Sequence, residues 1–288
     1  MQVFTEKAYA KINLGLKVLK RRPDGYHDIL SVLQTVDLSD SLRFEPAEGG
    51  AIEVVCEDRH IPTGRGNLAY QAAEAMQAAC REQKAQGVRI DLRKQIPVGA
   101  GLGGGSSDAA AVLLALDRAW ELNLSRDELG AIALGLGSDV GFFLQQGTAI
   151  VSGRGDKMRY VQWDGEFTYL LVDPGFHIPT GWAYDSLKIE LTDEPLYVTF
   201  LNSVKNRRRL PPTALFECLE NDFLPLVESS HPEVRGILDA LESAGALVCS
   251  LSGSGSTLYG VFSEGGQASE AGRRLRQVGY RSFLCRAV

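Results

Sequence analysis

No apolar run in the 288-residue sequence approaches the ~18 residues needed to cross a bilayer. Residues 1–7 also lack the uninterrupted apolar stretch of a signal peptide, so a cytoplasmic protein without membrane association is expected. Cysteine is scarce: Cys56, Cys80, Cys218, Cys249 and Cys285 are odd in number, widely spaced and free of any C-x-x-C. That argues against a disulfide framework or a thiolate zinc site and predicts reduced, partly buried side chains. The four histidines, His27, His60, His177 and His231, show no metal-ligand spacing. Basic charge is also limited, since 30 Lys+Arg against 36 Asp+Glu leave a net charge of −6. This balance disfavours nonspecific nucleic-acid binding. The run Lys205-Asn206-Arg207-Arg208-Arg209 is the local exception and reads as a solvated loop. With 44% hydrophobic and 23% charged residues, the composition excludes disorder, collagen and a coiled-coil rod.

Glycine is in excess, with 31 residues, or about 11% against a typical ~7%. The length exceeds what one hydrophobic core usually serves, so two domains are expected, 1–160 and 161–288. Residues 8–18 alternate, with Ala8, Ala10, Ile12, Leu14, Leu16 and Val18 on one face and Tyr9, Lys11, Asn13, Gly15 and Lys17 on the other, which predicts a half-buried strand. Arg22-Pro23-Asp24-Gly25 reads as a turn, 26–44 and 52–56 as strands, 68–86 as a helix and 88–93 as a strand. A helix over 108–120 follows a glycine segment, and Ser125 with Glu128 marks the start of another, running to about Leu136. Residues 137–141 read as a loop and 142–151 as a strand with a turn at Gln145-Gln146-Gly147. The second half reads as a strand at 167–172, a helical region at 213–244 interrupted by Pro225 and Pro232, two strands flanking 252–256, a helix at 267–278 and a strand at 280–286. Strand, helix, strand, strand, helix, strand is the order of an α+β ferredoxin-like unit.

Five of the seven residues in Gly99-Ala100-Gly101-Leu102-Gly103-Gly104-Gly105 are glycine, and Ser106-Ser107-Asp108 opens the helix. Without a need for special backbone angles, five glycines would forgo about 2.5–5 kcal/mol relative to alanine. Set against a net stability of ~5–15 kcal/mol, that is large. A backbone with positive φ, presenting N–H groups to a ligand at a helix N-terminus, accounts for it, and phosphate is the natural guest. The competing reading is a surface loop capped by Ser106 or Ser107. Gly99-x-Gly101-x-x-Gly104 formally matches a dinucleotide fingerprint, but a second helix follows where that fold needs a parallel strand. No G-x-x-x-x-G-K-[ST] and no G-x-S-x-G occurs.

Phosphoryl transfer also needs a group to orient or deprotonate the accepting hydroxyl, a cation and a divalent metal. Asp139, in a glycine-flanked loop after a helix, can serve as base or orienter, or be a plain turn residue. Lys11 can supply the cation, or be a solvated strand-edge lysine. Tyr26 and His27 could stack on and hydrogen-bond a planar group. Ser106 or Ser107 suits Mg2+, a hard cation that takes oxygen ligands.

The segment Pro97-Val98-Gly99-Ala100-Gly101-Leu102-Gly103-Gly104-Gly105-Ser106-Ser107-Asp108-Ala109-Ala110 resembles the second motif of the GHMP kinases, and Ser250-Leu251-Ser252-Gly253-Ser254-Gly255-Ser256-Thr257 resembles their third. Ala8-Tyr9-Ala10-Lys11-Ile12-Asn13-Leu14-Gly15-Leu16 with Arg22-Pro23-Asp24-Gly25-Tyr26-His27 is similar to the first motif in the branch that acts on a cytidine-diphosphate methylerythritol. The resemblance implies a two-domain α+β enzyme of the nonmevalonate isoprenoid route, with an N-terminal domain like domain 2 of ribosomal protein S5 and a C-terminal ferredoxin-like domain. It implies ATP as co-substrate with Mg2+, a small cytidine diphosphate substrate, and a monomer or weak homodimer. Carried over by motif position, Lys11 and Asp139 form the catalytic pair, and Asn13 lines their pocket. Tyr26, His27, Thr180 and Tyr184 take the cytidine substrate. Asn67, Leu68 and Lys94 surround adenine, and Pro97, Val98 and the glycine segment through Ser107 surround the rest of ATP, with Ser107 the candidate metal ligand. Gly141 departs from the proline the family usually carries there. A homoserine or mevalonate kinase is the second enzyme reading, and a noncatalytic nucleotide-binding regulator the reading from another class.

Overall fold

The computed structural model describes residues 1–80, 86–161, 165–187 and 219–288. The basic run at 205–209, Cys218, and parts of the helices expected over 68–86 and 213–244 lie outside the described residues. Contacts divide the chain into two compact units, each built from interleaved segments. Unit 1 is Met1–Ala10, Leu38–Val98 and Gly103–Gln146; unit 2 is Lys11–Asp37, Gly99–Leu102 and Gly147–Val288.

Strands β1 (Phe4–Arg21) and β2 (His27–Ala47) contribute to both units. In unit 1, β3 (Ile52–Cys56) runs parallel to β4 (Gly87–Arg93), and β4 runs antiparallel to β2, with Leu42 opposite Leu92 and Phe44 opposite Ile90. A parallel pair needs a crossover, which α1 (Leu68–Ala79) supplies. The Asn67 side chain caps α1 by accepting from Ala69 N, and Ala69, Ala72, Ala73 and Met76 form its buried stripe. The helix ends before the expected Gln86 because Cys80 already has extended angles. Then come α2 (Gly104–Ala119), α3 (Arg126–Leu136), with the expected Ser125–Glu128 capping box, and α4 (Val140–Phe143).

Two expectations need correction here. Helix α2 starts at Gly104, not Asp108: Gly103, at φ 70°, is its N-cap, and neither Ser106 nor Ser107 caps it. Residues 142–143 are helical rather than strand, because burial of both phenylalanine rings outweighs their β preference.

In unit 2, β5 (Thr148–Gly153) pairs antiparallel with the first half of β2 and with β6 (Lys157–Val161). Strands β7 (Thr168–Asp173), β8 (Val248–Leu251), β9 (Leu258–Phe262) and β10 (Arg281–Arg286) form an antiparallel sheet in the order β10-β7-β9-β8. This is the ferredoxin-like arrangement anticipated from element order. Its helices are α5 (Thr180–Ser186), α6 (Leu224–Ser230), α7 (Glu233–Ser243) and α8 (Gly265–Gln277). Pro225 lies in the first turn of α6 and Pro232 at the N-cap of α7, where a missing N–H is harmless, so the prolines begin helices rather than interrupt one. Val234, Ile237, Leu238 and Leu241 of α7 pack with Leu170, Val172, Leu258 and Phe262. Cys56, Cys80, Cys249 and Cys285 are free thiols. No described helix is long and apolar enough to cross a membrane.

Candidate active site

Strand β1 is not half-buried as its alternation predicts. Lys11 and Asn13, on its polar face, are each only 5% exposed. A buried ammonium needs acceptors. Lys11 Nζ donates to Asn13 Oδ1 at 2.5 Å and to the Gly101 carbonyl at 2.9 Å. Asn13 is held in turn: its Nδ2 donates to Ser31 Oγ, which donates to the Gly15 carbonyl, and its backbone N–H donates to Ser252 Oγ. Ser252 Oγ also donates to Gly101 O. Asn221 Nδ2 pins the second glycine loop through the carbonyls of Leu251 and Gly253.

The carbonyls of residues 99–102 are all engaged within unit 2. Gly99 O lies 3.1 Å from His177 Nδ1, Ala100 O accepts from Thr257 N, Gly101 O from Lys11 and Ser252, and Leu102 O from Lys11 N. Across a trans peptide the next N–H points opposite to the carbonyl. The N–H groups of residues 100–103 therefore face away from these partners, and none of them donates to a described backbone carbonyl. Backbone amides left without a carbonyl partner are available to donate to an anion. Gly99, Gly101 and Gly103 have φ of 66°, 80° and 70°, where a side chain is strained. At Gly101 a Cβ would also stand 2.1 Å from Ser252 O.

The acceptor-side residues make three separate contacts. His27 stacks on Tyr184 with centroids 5.1 Å apart, and Tyr184 meets Phe223 edge-on. Tyr26 is exposed and has the Arg154 guanidinium over its ring, 5.2 Å from the centroid. Thr180 Oγ1 lies 3.2 Å from Ser254 Oγ.

Unit 1 holds the remaining candidates. Asp139, half-buried, occupies the N-cap position of α4. Pro97 is buried and Val98 exposed. Leu68 approaches Gly105, where a Cβ would stand 3.7 Å from Leu68 Cδ1. The Asn67 side chain is committed to capping α1 and to the Pro62 carbonyl. Ser107, 2% exposed, lines a cavity of about 360 Å3 with Tyr9, Phe143 and Arg118. Lys94 is clamped between two carboxylates, Asp40 and Asp108 at 2.6 Å, and lies against Gly104. Burial pulls the Lys94 pKa down, but the charges of Asp108 and Asp40 outweigh it, so the value stands above the usual lysine range. Burial pushes the Asp108 carboxyl up to about 7, with Lys94 opposing the shift and Asp40 adding to it.

Asp40, Ser31, Asn221, Arg154 and His177 carry no role in the sequence reading. Only Asp40 leaves a signal there: it shares a row with Leu38, Leu42 and Phe44, and a carboxylate in a core row needs a partner.

The model of the GHMP kinases N terminal domain matches residues 67–147, and that of the GHMP kinases C terminal matches 202–281. A 4-diphosphocytidyl-2-C-methyl-D-erythritol kinase of Prosthecochloris aestuarii is 39% identical over 96% of this chain and 94% of its own. One of Salinibacter ruber is 40% identical over 97% of each chain. Among solved structures, a 4-(cytidine 5'-diphospho)-2C-methyl-D-erythritol kinase superposes with a TM-score of 0.81 at 33% identity, covering 99% of both chains. The homoserine kinase of Cytophaga hutchinsonii, with a TM-score of 0.79 at 16% identity over 100% of this chain and 95% of its own, shares the fold. Matched along nearly its whole length by these relatives and by both domain models, the chain belongs to the GHMP kinases, among the 4-diphosphocytidyl-2-C-methyl-D-erythritol kinases.

Proposed function

We propose that the chain transfers the γ-phosphoryl group of ATP to the 2-hydroxyl of 4-diphosphocytidyl-2-C-methyl-D-erythritol, giving the 2-phosphate and ADP in the nonmevalonate route to isoprenoid precursors. The observation that carries this reading is the buried Lys11–Asn13–Gly101 arrangement, in which a cation is fixed against the glycine loop. The matched segments 67–147 and 202–281 fall inside the proposed domains, 1–160 and 161–288. The protein then acts in the cytoplasm, as a monomer or weak homodimer.

The outward N–H groups of residues 100–103 and the N-terminus of α2 take the donor phosphates, with Gly104, Gly105, Ser106 and Ser107 forming the first turn. Leu68 and Lys94 flank the adenosine side, Lys94 as a fixed side chain in its carboxylate clamp. Tyr26, His27, Thr180 and Tyr184 receive the cytidine end of the acceptor. Asp139 accepts the proton of the 2-hydroxyl as that oxygen attacks phosphorus. Lys11 stabilises the accepting oxygen, and its burial strengthens the effect because little water screens its charge.

Among the described residues no group of three or more His, Cys, Asp or Glu is placed to hold a metal. The donor on offer is an oxygen, the Ser107 hydroxyl, and it suits Mg2+, which takes one or two protein oxygens and completes its shell with substrate phosphates and water. Ser107 would be its protein ligand, and when bound the ion neutralises charge on the transferring group.

ATP consumption with 4-diphosphocytidyl-2-C-methyl-D-erythritol, beside mevalonate and homoserine, tests the reading. Turnover is expected with the cytidylyl acceptor, and a preference for either of the others overturns it.

A further inference from the structure

Three of the four carbonyls of residues 99–102 are held by the first and third motifs, through Lys11, Ser252 and Thr257. The fourth, at the entry of the loop, comes from His177, which belongs to none of the motifs. Its imidazole fills the space that glycine leaves: a Cβ on Gly99 would stand 2.6 Å from His177 Cε1 and 2.8 Å from Nδ1. Although the ring is exposed, the backbone that carries it is fixed on both sides. Before it, Gly175 N donates to Asp173 Oδ1 at the end of β7. After it, Ile178 is 1% exposed in the core of unit 2, with Cδ1 2.9 Å from where a Cβ on Gly255 would stand, and Thr180 meets Ser254. His177 therefore projects from a segment anchored to the second glycine loop and reaches the first.

We propose that His177 is a positioning residue for the donor-phosphate loop. In the tautomer carrying Nδ1–H it donates to Gly99 O and so fixes the 99–100 peptide, whose other end is the Ala100 N–H. That N–H is held pointing outward before nucleotide arrives, so less loop ordering is required on binding. The inference rests on the reading of residues 99–105 as the phosphate cradle, and a binding measurement separates the two.

ADP titrated by calorimetry into the full chain and into His177→Ala and His177→Asn is the test, with steady-state kinetics beside it. His177→Ala is expected to weaken ADP about tenfold, the equivalent of one positioning hydrogen bond. The KM for ATP should rise in step, while kcat and the KM for the acceptor stay within about twofold, because no group that touches the acceptor in this reading has changed. His177→Asn, whose amide Nδ2 can donate from a similar position, is expected to recover most of the ADP affinity. Unchanged ADP affinity in His177→Ala overturns the role of His177, including the case in which thermal stability or kcat falls alone. Failure of the parent chain to bind ADP overturns the phosphate-cradle reading itself.

Discussion

Lys11 Nζ lies 2.5 Å from Asn13 Oδ1, two residues along the same face of β1, and both side chains are buried. A strand places alternate residues together on one face, so this pair is built by local geometry, while its burial comes from tertiary packing. Lys11→Met keeps much of the length and removes the charge. It is expected to lower kcat about 10²- to 10³-fold, the size seen when one preorganised electrostatic group is lost from a site. Activity within threefold of the parent would sink the electrostatic role of Lys11.

Asp139→Ala is expected to abolish phosphoryl transfer while ATP still binds, because in this reading the carboxylate handles the acceptor proton and touches none of the adenosine. Equilibrium binding of an ATP analogue alongside turnover checks it. Near-normal turnover refutes the base assignment.

Gly101 and Gly105 are glycine for different reasons. Gly101 has φ 80° and a Cβ there would meet Ser252 O at 2.1 Å, so Gly101→Ala is expected to cost upwards of about 2 kcal/mol through strain and collision. Gly105 is helical, with its nearest neighbour 3.7 Å from a Cβ, so Gly105→Ala is expected to stabilise by about 0.5–1 kcal/mol. If glycine stands there to let phosphate approach, the KM for ATP nevertheless rises in the more stable variant. Urea unfolding with ATP saturation curves reads both effects; a Gly105→Ala protein with parent-like KM would assign that glycine no part in binding.

Asp108 titrates near its ordinary 3.8 when unfolded and is pushed up to about 7 by burial in the folded chain. Between those values the folded state holds a proton that the unfolded state has released. Stability from this group is thus fully present below about pH 4 and is lost as pH rises through about 7. Asp108→Asn resembles the protonated form and can still offer an oxygen to Lys94. It is expected to flatten the dependence of the urea midpoint between about pH 5 and 8 and to raise the midpoint at the alkaline end. An unaltered slope in the variant argues that another group controls this window.

The sequence by itself determined most elements, because their signals are local. Alternation marked β1, apolar spacing marked α2, Ser125 and Glu128 marked the start of α3, and the order of the last six elements marked the ferredoxin-like sheet. It also located the glycine loop, since five glycines within seven residues are costly unless the backbone or a ligand demands them. Tertiary structure alone decided what those elements lie against. Alternation states that Lys11 and Asn13 share a face, but not that the face is covered. Phe142 and Phe143 favour a strand locally and become helical because their rings fill the core. Lys94 meets Asp40 across 54 positions of sequence, and His177 meets Gly99 across 78. No local propensity encodes such pairs; they form where packing brings distant segments together and a buried charge or carbonyl must find a partner.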